Sequence, residues 1–174
     1  VVTYNRLPLL RQCVDHLLAQ IGEGCDILVI DNASSDGTDK YLHSVSSTNL
    51  RIRFYNPGEN LGGAGGFNLG IKLAAEAGYQ WIWVMDDDAL PQTDALSQLL
   101  AADVELDGAY GWLSSKVLWT DGNLCKMNIQ RQTPYTDLSE KCFVERLPQA
   151  MLASFVSLFL PASNVFRFGL PIRS

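Results

Sequence analysis

The chain has 174 residues, 47% of them hydrophobic, enough for one domain with a substantial core. Its net charge of −6, a pI of about 4.8 and the lack of a basic stripe argue against nucleic-acid binding, and any phosphate chemistry would need a cation or local donors to offset repulsion. No signal peptide and no apolar run of membrane-spanning length is visible, and the four cysteines (Cys13, Cys25, Cys125, Cys142) form no CxxC pair, a pattern that fits reduced thiols in a cytoplasmic protein.

Val1 to Tyr4 reads as a strand leading into a loop at Asn5-Arg6. Leu9, Leu10, Cys13, Val14, Leu17, Leu18 and Ile21 recur at helical spacing, with Pro8 suited to a first turn. Ile27 to Ile30 is a continuous apolar run ending in Asp31, the pattern of a central parallel strand buried on both faces. Loop chemistry over residues 32–38 leads to a helix carrying Tyr41, Leu42 and Val45, with Asp36 read as a cap for that loop. Ile52 to Tyr55 is a third strand, followed by Asn56-Pro57-Gly58 and a glycine-rich loop from Asn60 to Gly66. A helix is expected from Phe67 to Ala77, stopping near Gly78, and then a strand from Trp81 to Met85. Leu96, Leu99 and Leu100 mark a further helix with Thr93 as its cap. Tyr110 to Trp119 and Met151 to Leu160 read as strands around an irregular stretch. Alternating strands and helices predict an α/β domain with a mainly parallel central sheet flanked by helices. Ligands of such sheets bind at the carboxyl ends of the strands.

Asp86-Asp87-Asp88 follows the apolar strand directly. Three adjacent carboxylates repel one another and lose hydration against a sheet, and a divalent cation offsets both costs. Oxygen ligands of this kind suit Mg²⁺ or Mn²⁺. In an extended segment Asp86 and Asp88 share a side and can hold the cation, while Asp87 faces a ligand hydroxyl or a neighbouring donor. An exposed acidic turn or a helix cap is the simpler reading of such a run, but its place after a buried strand favours the metal.

The glycine cluster fails the GxGxxG pattern at Asn68 and the phosphate-loop pattern at Ile71, where lysine is required. Two uses remain open for it: close approach of backbone to a ligand at a helix N-terminus, or close packing of the helix itself. Asp31-Asn32, at the end of a buried strand, can accept hydrogen bonds from a base or a ribose hydroxyl, or can cap the following turn. His16 and His43 read as surface residues, and no Ser/His/Asp or Cys/His triad is present.

Together, the Val1–Arg6, Val29–Thr38, Asn60–Phe67 and Asp86–Asp88 segments resemble glycosyltransferase family 2, the inverting GT-A class, most of all its galactofuranosyltransferase branch, with rhamnosyltransferases close behind. A weaker similarity runs from Leu152 to Ile172. The resemblance implies a nucleoside-diphosphate-sugar donor held by Thr3, Tyr4, Asn5, Arg6, Asp31 and Asn32, with Asp31 near the base. It places Asn60, Gly62 and Gly63 against the donor, Asp86 and Asp88 on Mn²⁺ or Mg²⁺, and Asp87 on the donor sugar or ribose. It implies a donor-binding half over residues 1–106 and part of an acceptor half over 107–174, acting on a glycan or lipid-linked acceptor. It further implies cytoplasmic placement, with peripheral association at the inner face of the cell membrane in a longer protein. The general base is expected beyond Ser174, so efficient turnover by these residues alone is not. A sugar-phosphate nucleotidyltransferase is the nearest alternative, but it would carry the glycine loop right after the first strand, where Thr3-Tyr4-Asn5-Arg6 stands. A phospho-acceptor signalling domain or a non-catalytic nucleotide- or phosphate-binding domain leaves the combination of motifs less well explained.

Overall fold

The computed structural model describes residues 1–20, 22, 24–129, 131–132, 150–152 and 154–171. In chain order these form β1 (Val2–Thr3), α1 (Leu7–Leu18), β2 (Ile27–Asp31), α2 (Thr38–Thr48), β3 (Ile52–Tyr55), α3 (Gly62–Glu76) and β4 (Trp81–Val84). There follow α4 (Ala95–Leu106), β5 (Leu113–Ser114), a 3₁₀ turn (Lys126–Asn128), β6 (Arg131–Gln132), β7 (Ala150–Leu152), β8 (Leu158–Pro161) and α5 (Ala162–Phe168). Ile21, Cys142 and Ile172 lie outside the described residues, as does most of the irregular stretch before β7.

β2 lies between β1 and β3 and runs parallel to both, with Val2 opposite Ile30 and Ile27 opposite Ile52. A parallel bridge from Val2 to Asp86 joins β1 to the end of β4. β4 then pairs antiparallel with β8, and β8 antiparallel with β5. The strand order through that bridge is β3-β2-β1-β4-β8-β5, with β8 alone running against the others. β6 and β7 form a separate two-stranded ribbon.

The unbroken apolar run of β2 follows from burial on both faces. Ile27 and Val29 pack with Leu10, Val14 and Leu17 of α1 and Leu42 of α2. Ile30 packs on the other face with Val2, Phe67 and Ile71. A third cluster joins Leu96 and Leu99 of α4 to Phe159 of β8. The carboxyl ends of β1, β2 and β4 therefore meet at one edge, between α1 and the start of α3.

Four sequence expectations change. The helix expected from Phe67 begins at Gly62, so Gly62 to Gly66 are helical rather than loop. Tertiary packing of the glycines against the sheet overrides their poor helix propensity. The N-cap of α4 is Asp94 rather than Thr93; its side chain makes no capping bond, and Gln20 Oε1 accepts the Leu96 N–H at 3.0 Å. The strand expected from Tyr110 to Trp119 is reduced to Leu113–Ser114, the two residues with a ladder partner in β8. The expected Met151 to Leu160 strand is two strands, β7 and β8, with Phe155 and Val156 in a turn between them.

Candidate active site

The Thr3–Arg6 loop is bound to the loop after β2. Asn5 sits at φ 54°, its N–H donates to Ser34 Oγ at 2.9 Å, and its Oδ1 accepts the Ser35 N–H at 2.7 Å. Tyr4, 46% exposed, projects from this loop. The N-terminus of α1 has no cap of its own; Asp36 Oδ2 accepts the Leu7 N–H at 2.9 Å, and Oδ1 accepts both the N–H and hydroxyl of Thr38. Burial raises the Asp36 carboxyl and these hydrogen bonds outweigh it, leaving its pKa below the ordinary value. Asp36 thus ties the starts of α1 and α2 together, beyond the local cap expected of it.

The acidic triplet does not stay extended. Asp86 is bridged to Val2, and the Ala89 N–H donates to the Asp86 carbonyl at 3.3 Å, closing a turn. The alternation of faces expected over Asp86, Asp87 and Asp88 is therefore lost. Asp87 is buried, with Oδ2 accepting the Thr3 hydroxyl at 2.7 Å. Arg6 Nη1 lies 3.5 Å from Asp87 Oδ1 and 3.0 Å from Asp88 Oδ2, so Asp87 and Asp88 converge on one guanidinium nitrogen. Asp86 is partly buried, and among the described residues no donor hydrogen-bonds its carboxylate. Burial, then the charges of Asp88 and Asp87, raise its pKa; Arg6 offsets this only in part. Burial also raises the pKa of Asp87, against the opposing hydrogen bond from Thr3 and charge of Arg6.

Helix α1 holds this turn in place. The Cys13 thiol lies 3.9 Å from the Asp86 carbonyl, and the His16 ring Nδ1 is 3.1 Å from the Pro91 carbonyl. His16 is exposed, as expected, yet it braces the segment after the triplet. Spacing along the helix could not show this, because the contact spans 75 residues.

Asp31 and Asn32 are placed less simply than the sequence suggests. Asp31 is fully buried, with Oδ1 accepting the Ser34 N–H at 3.0 Å and Oδ2 accepting the Asn56 side-chain amide at 3.2 Å. Asn56 was not singled out by the sequence; the Asn-Pro-Gly turn that contains it was the available signal. Asn32 donates to the Gly62 carbonyl at 3.1 Å, while its buried Oδ1 has no partner among the described residues.

The glycines divide between the two uses left open for them. A Cβ on Gly66 would come within 2.6 Å of Val2 Cγ1, and one on Gly70 within 3.1 Å of Ile30 Cγ1, so these two let α3 lie close against β1 and β2. Gly62, at φ 69°, and Gly63 face open space. The Asn60 side chain accepts the Gly62 N–H at 2.9 Å and fixes the entry to the helix. The lead end of α3 thus leaves its backbone accessible beside the Asn32 side chain.

A cavity of about 680 Å³ lies elsewhere, among Leu28, Phe54, Trp81, Trp83, Leu96 and Phe159. Its lining is chiefly aliphatic and aromatic, and it contains none of the three aspartates. The acidic edge is the better candidate on chemical grounds.

The family model for glycosyl transferase family 2 matches residues 1–114. The chain belongs to glycosyl transferase family 2. The match covers all four motif segments at the acidic edge and does not extend to the similarity read from Leu152 onward. A galactofuranosyltransferase of Mycolicibacterium smegmatis is 36% identical over 102 residues, covering 58% of this chain and 33% of the relative, so the chain spans about a third of that relative's length. A mannosyltransferase from Pyrobaculum calidifontis, solved with GDP-Man and Mn²⁺, superposes with a TM-score of 0.68 at 17% identity, over 97% of this chain and 45% of that one. Staphylococcus aureus TarS in complex with UDP gives 0.68 at 17% identity, over 95% and 46%. At these identities the structures establish the GT-A fold. Within the family 2 chain, the site residues predicted from sequence gather at one sheet edge, joined by bonds from Thr3 and Arg6 to the triplet, from Asn5 to Ser34 and Ser35, and from Asn32 to Gly62.

Proposed function

We propose that this chain binds a nucleoside-diphosphate sugar together with a divalent cation and serves the donor side of an inverting glycosyl transfer. The observation that supports this is the turn after β4, which sets Asp87 and Asp88 on one Arg6 nitrogen and leaves the partly buried Asp86 carboxylate without a donor among the described residues. The donor set is all carboxylate oxygen, which suits Mn²⁺ or Mg²⁺. Asp86 and Asp88 would hold the ion, which would stabilise negative charge building on the leaving diphosphate. Asp87, buried and held by Thr3, acts as a fixed acceptor toward the sugar or ribose. The open backbone at Gly62 and Gly63 lets the donor approach closely, with Asn60 fixing that turn. Asp31 organises the nucleoside side through Ser34 and Asn56; direct contact with a base would require Asn56 to give way.

Galactofuranose is the favoured donor sugar because the mycobacterial relative is a galactofuranosyltransferase, with rhamnose as the second choice. The acceptor is a glycan or a lipid-linked glycan, met at the inner face of the cell membrane. Residues 1–106 supply the donor-binding half, and no described residue is assigned as the general base.

Calorimetric titration of UDP, dTDP and GDP, and then of the corresponding sugar nucleotides, in the presence of Mn²⁺ tests the reading. Saturable binding of one nucleoside diphosphate above the others, strengthened by its sugar, supports it. Binding of none of them, or binding no better than inorganic pyrophosphate, defeats it.

A further inference from the structure

The ion pairs at the acidic edge assign Arg6 a role beyond contact with a donor. Its side chain is 53% exposed and reaches Asp87 and Asp88 through Nη1 alone. The remaining guanidinium N–H groups make no hydrogen bond within the described residues. By contrast its backbone is fixed: the Arg6 carbonyl accepts the N–H groups of Leu9 and Leu10 at 3.0 Å, and Asn5 before it is tied to Ser34 and Ser35. The side chain can therefore move while its root cannot. Asp88, 49% exposed, is free to exchange partners, whereas Asp87 is locked by Thr3. The guanidinium thus rests on Asp88 Oδ2, an oxygen of a carboxylate that the donor-site reading gives to the cation.

We infer that Arg6 is a displaceable counter-ion, which holds Asp88 while the cation is absent and is released toward the donor's diphosphate when the cation binds. Two cations cannot both take Asp88 Oδ2 without repulsion, so Arg6 opposes binding of the bare metal. A metal-bound diphosphate brings its own negative charge, which a released guanidinium can meet through two parallel N–H groups. Arg6 therefore makes metal and nucleotide bind better together than apart, and by linkage each raises the affinity for the other by one common factor. The inference rests on the donor-site reading above and deepens it.

Mn²⁺ binding followed by electron paramagnetic resonance on the 174-residue chain tests this without any turnover. Arg6→Gln keeps length and hydrogen-bonding capacity but removes the charge; Arg6→Lys keeps the charge and loses the planar fork. Circular dichroism confirms that both variants are folded. Arg6→Gln is expected to bind Mn²⁺ alone more tightly, by roughly five- to tenfold, and to lose most of the mutual enhancement between Mn²⁺ and UDP. Arg6→Lys is expected to retain the weak binding of bare Mn²⁺. Unchanged or weaker Mn²⁺ binding by Arg6→Gln, with UDP enhancement intact, overturns the role of Arg6 and leaves the donor site standing. Failure of the wild-type chain to bind Mn²⁺ even with UDP overturns both.

Discussion

The Thr3 hydroxyl donates to Asp87 Oδ2 at 2.7 Å, a buried bond between residues 84 positions apart that ties the first strand of the sheet to the acidic turn after the fourth. Asp87 is almost fully enclosed, and among the described residues the other donor to its carboxylate is Arg6, at 3.5 Å. Leaving a buried carboxylate short of a donor costs about 1–3 kcal/mol. Thr3→Val is therefore expected to lower the unfolding free energy by roughly 2 kcal/mol, and Thr3→Ser to restore most of it. Urea denaturation of the three proteins reads this directly; equal midpoints for Thr3→Val and wild type would show that the bond contributes nothing.

The glycines of α3 separate packing from ligand approach. Gly66→Ala drives a methyl group into Val2 and is expected to cost about 1–3 kcal/mol of stability. Gly63→Ala meets no neighbour and is expected to leave stability unchanged or raise it by up to about 1 kcal/mol. If the donor lies against this backbone, Gly63→Ala weakens UDP binding even so. Thermal unfolding and UDP titration of the same two variants test both halves, and equal stability loss in both would contradict the division.

Asp36 gives the fold a defined acid sensitivity. Its carboxyl titrates below the ordinary value in the folded protein, so the ionised form favours folding. That contribution is present above the unfolded pKa of about 3.9 and is lost as pH falls through the folded value. Asp36→Asn is expected to be less stable than wild type at neutral pH, and the gap is expected to narrow below about pH 4. Unfolding midpoints from pH 3 to 7 check the sign; a gap that widens on acidification refutes the assignment.

Cys13 is fully buried beneath the acidic turn, and burial pushes its thiol up to about 12. A disulfide reagent at pH 8 is expected to modify Cys13 only as fast as the protein opens, well after the partly buried Cys25. Peptide mapping after timed labelling distinguishes the two sites. Early modification of Cys13 would mean that α1 does not seal the turn.

Much of this arrangement is legible in the sequence, and the exceptions have identifiable causes. β2 is readable because a parallel strand buried on both faces is continuously apolar, and the triplet is conspicuous because its charge is costly. The start of α3 is not readable locally: glycine is a poor helix former, and only the contacts of Gly66 with Val2 and of Gly70 with Ile30 explain why the segment is helical. The turn over Asp86 to Ala89 is hidden for a similar reason, because Arg6 and Thr3 reach it from more than 80 residues away. Asn56 and His16 acquire their roles only through folded-state contacts, with Asp31 and with the Pro91 carbonyl.

Metal-dependent nucleotide binding is the central claim, and calorimetric titration of UDP with and without Mn²⁺, repeated on Asp86→Ala and Asp88→Ala, tests it most directly. Mn²⁺ is expected to raise the UDP affinity of the wild-type chain by about tenfold or more, and either substitution to abolish that gain while the protein stays folded. UDP binding indifferent to Mn²⁺, or a gain that survives both substitutions, would contradict it.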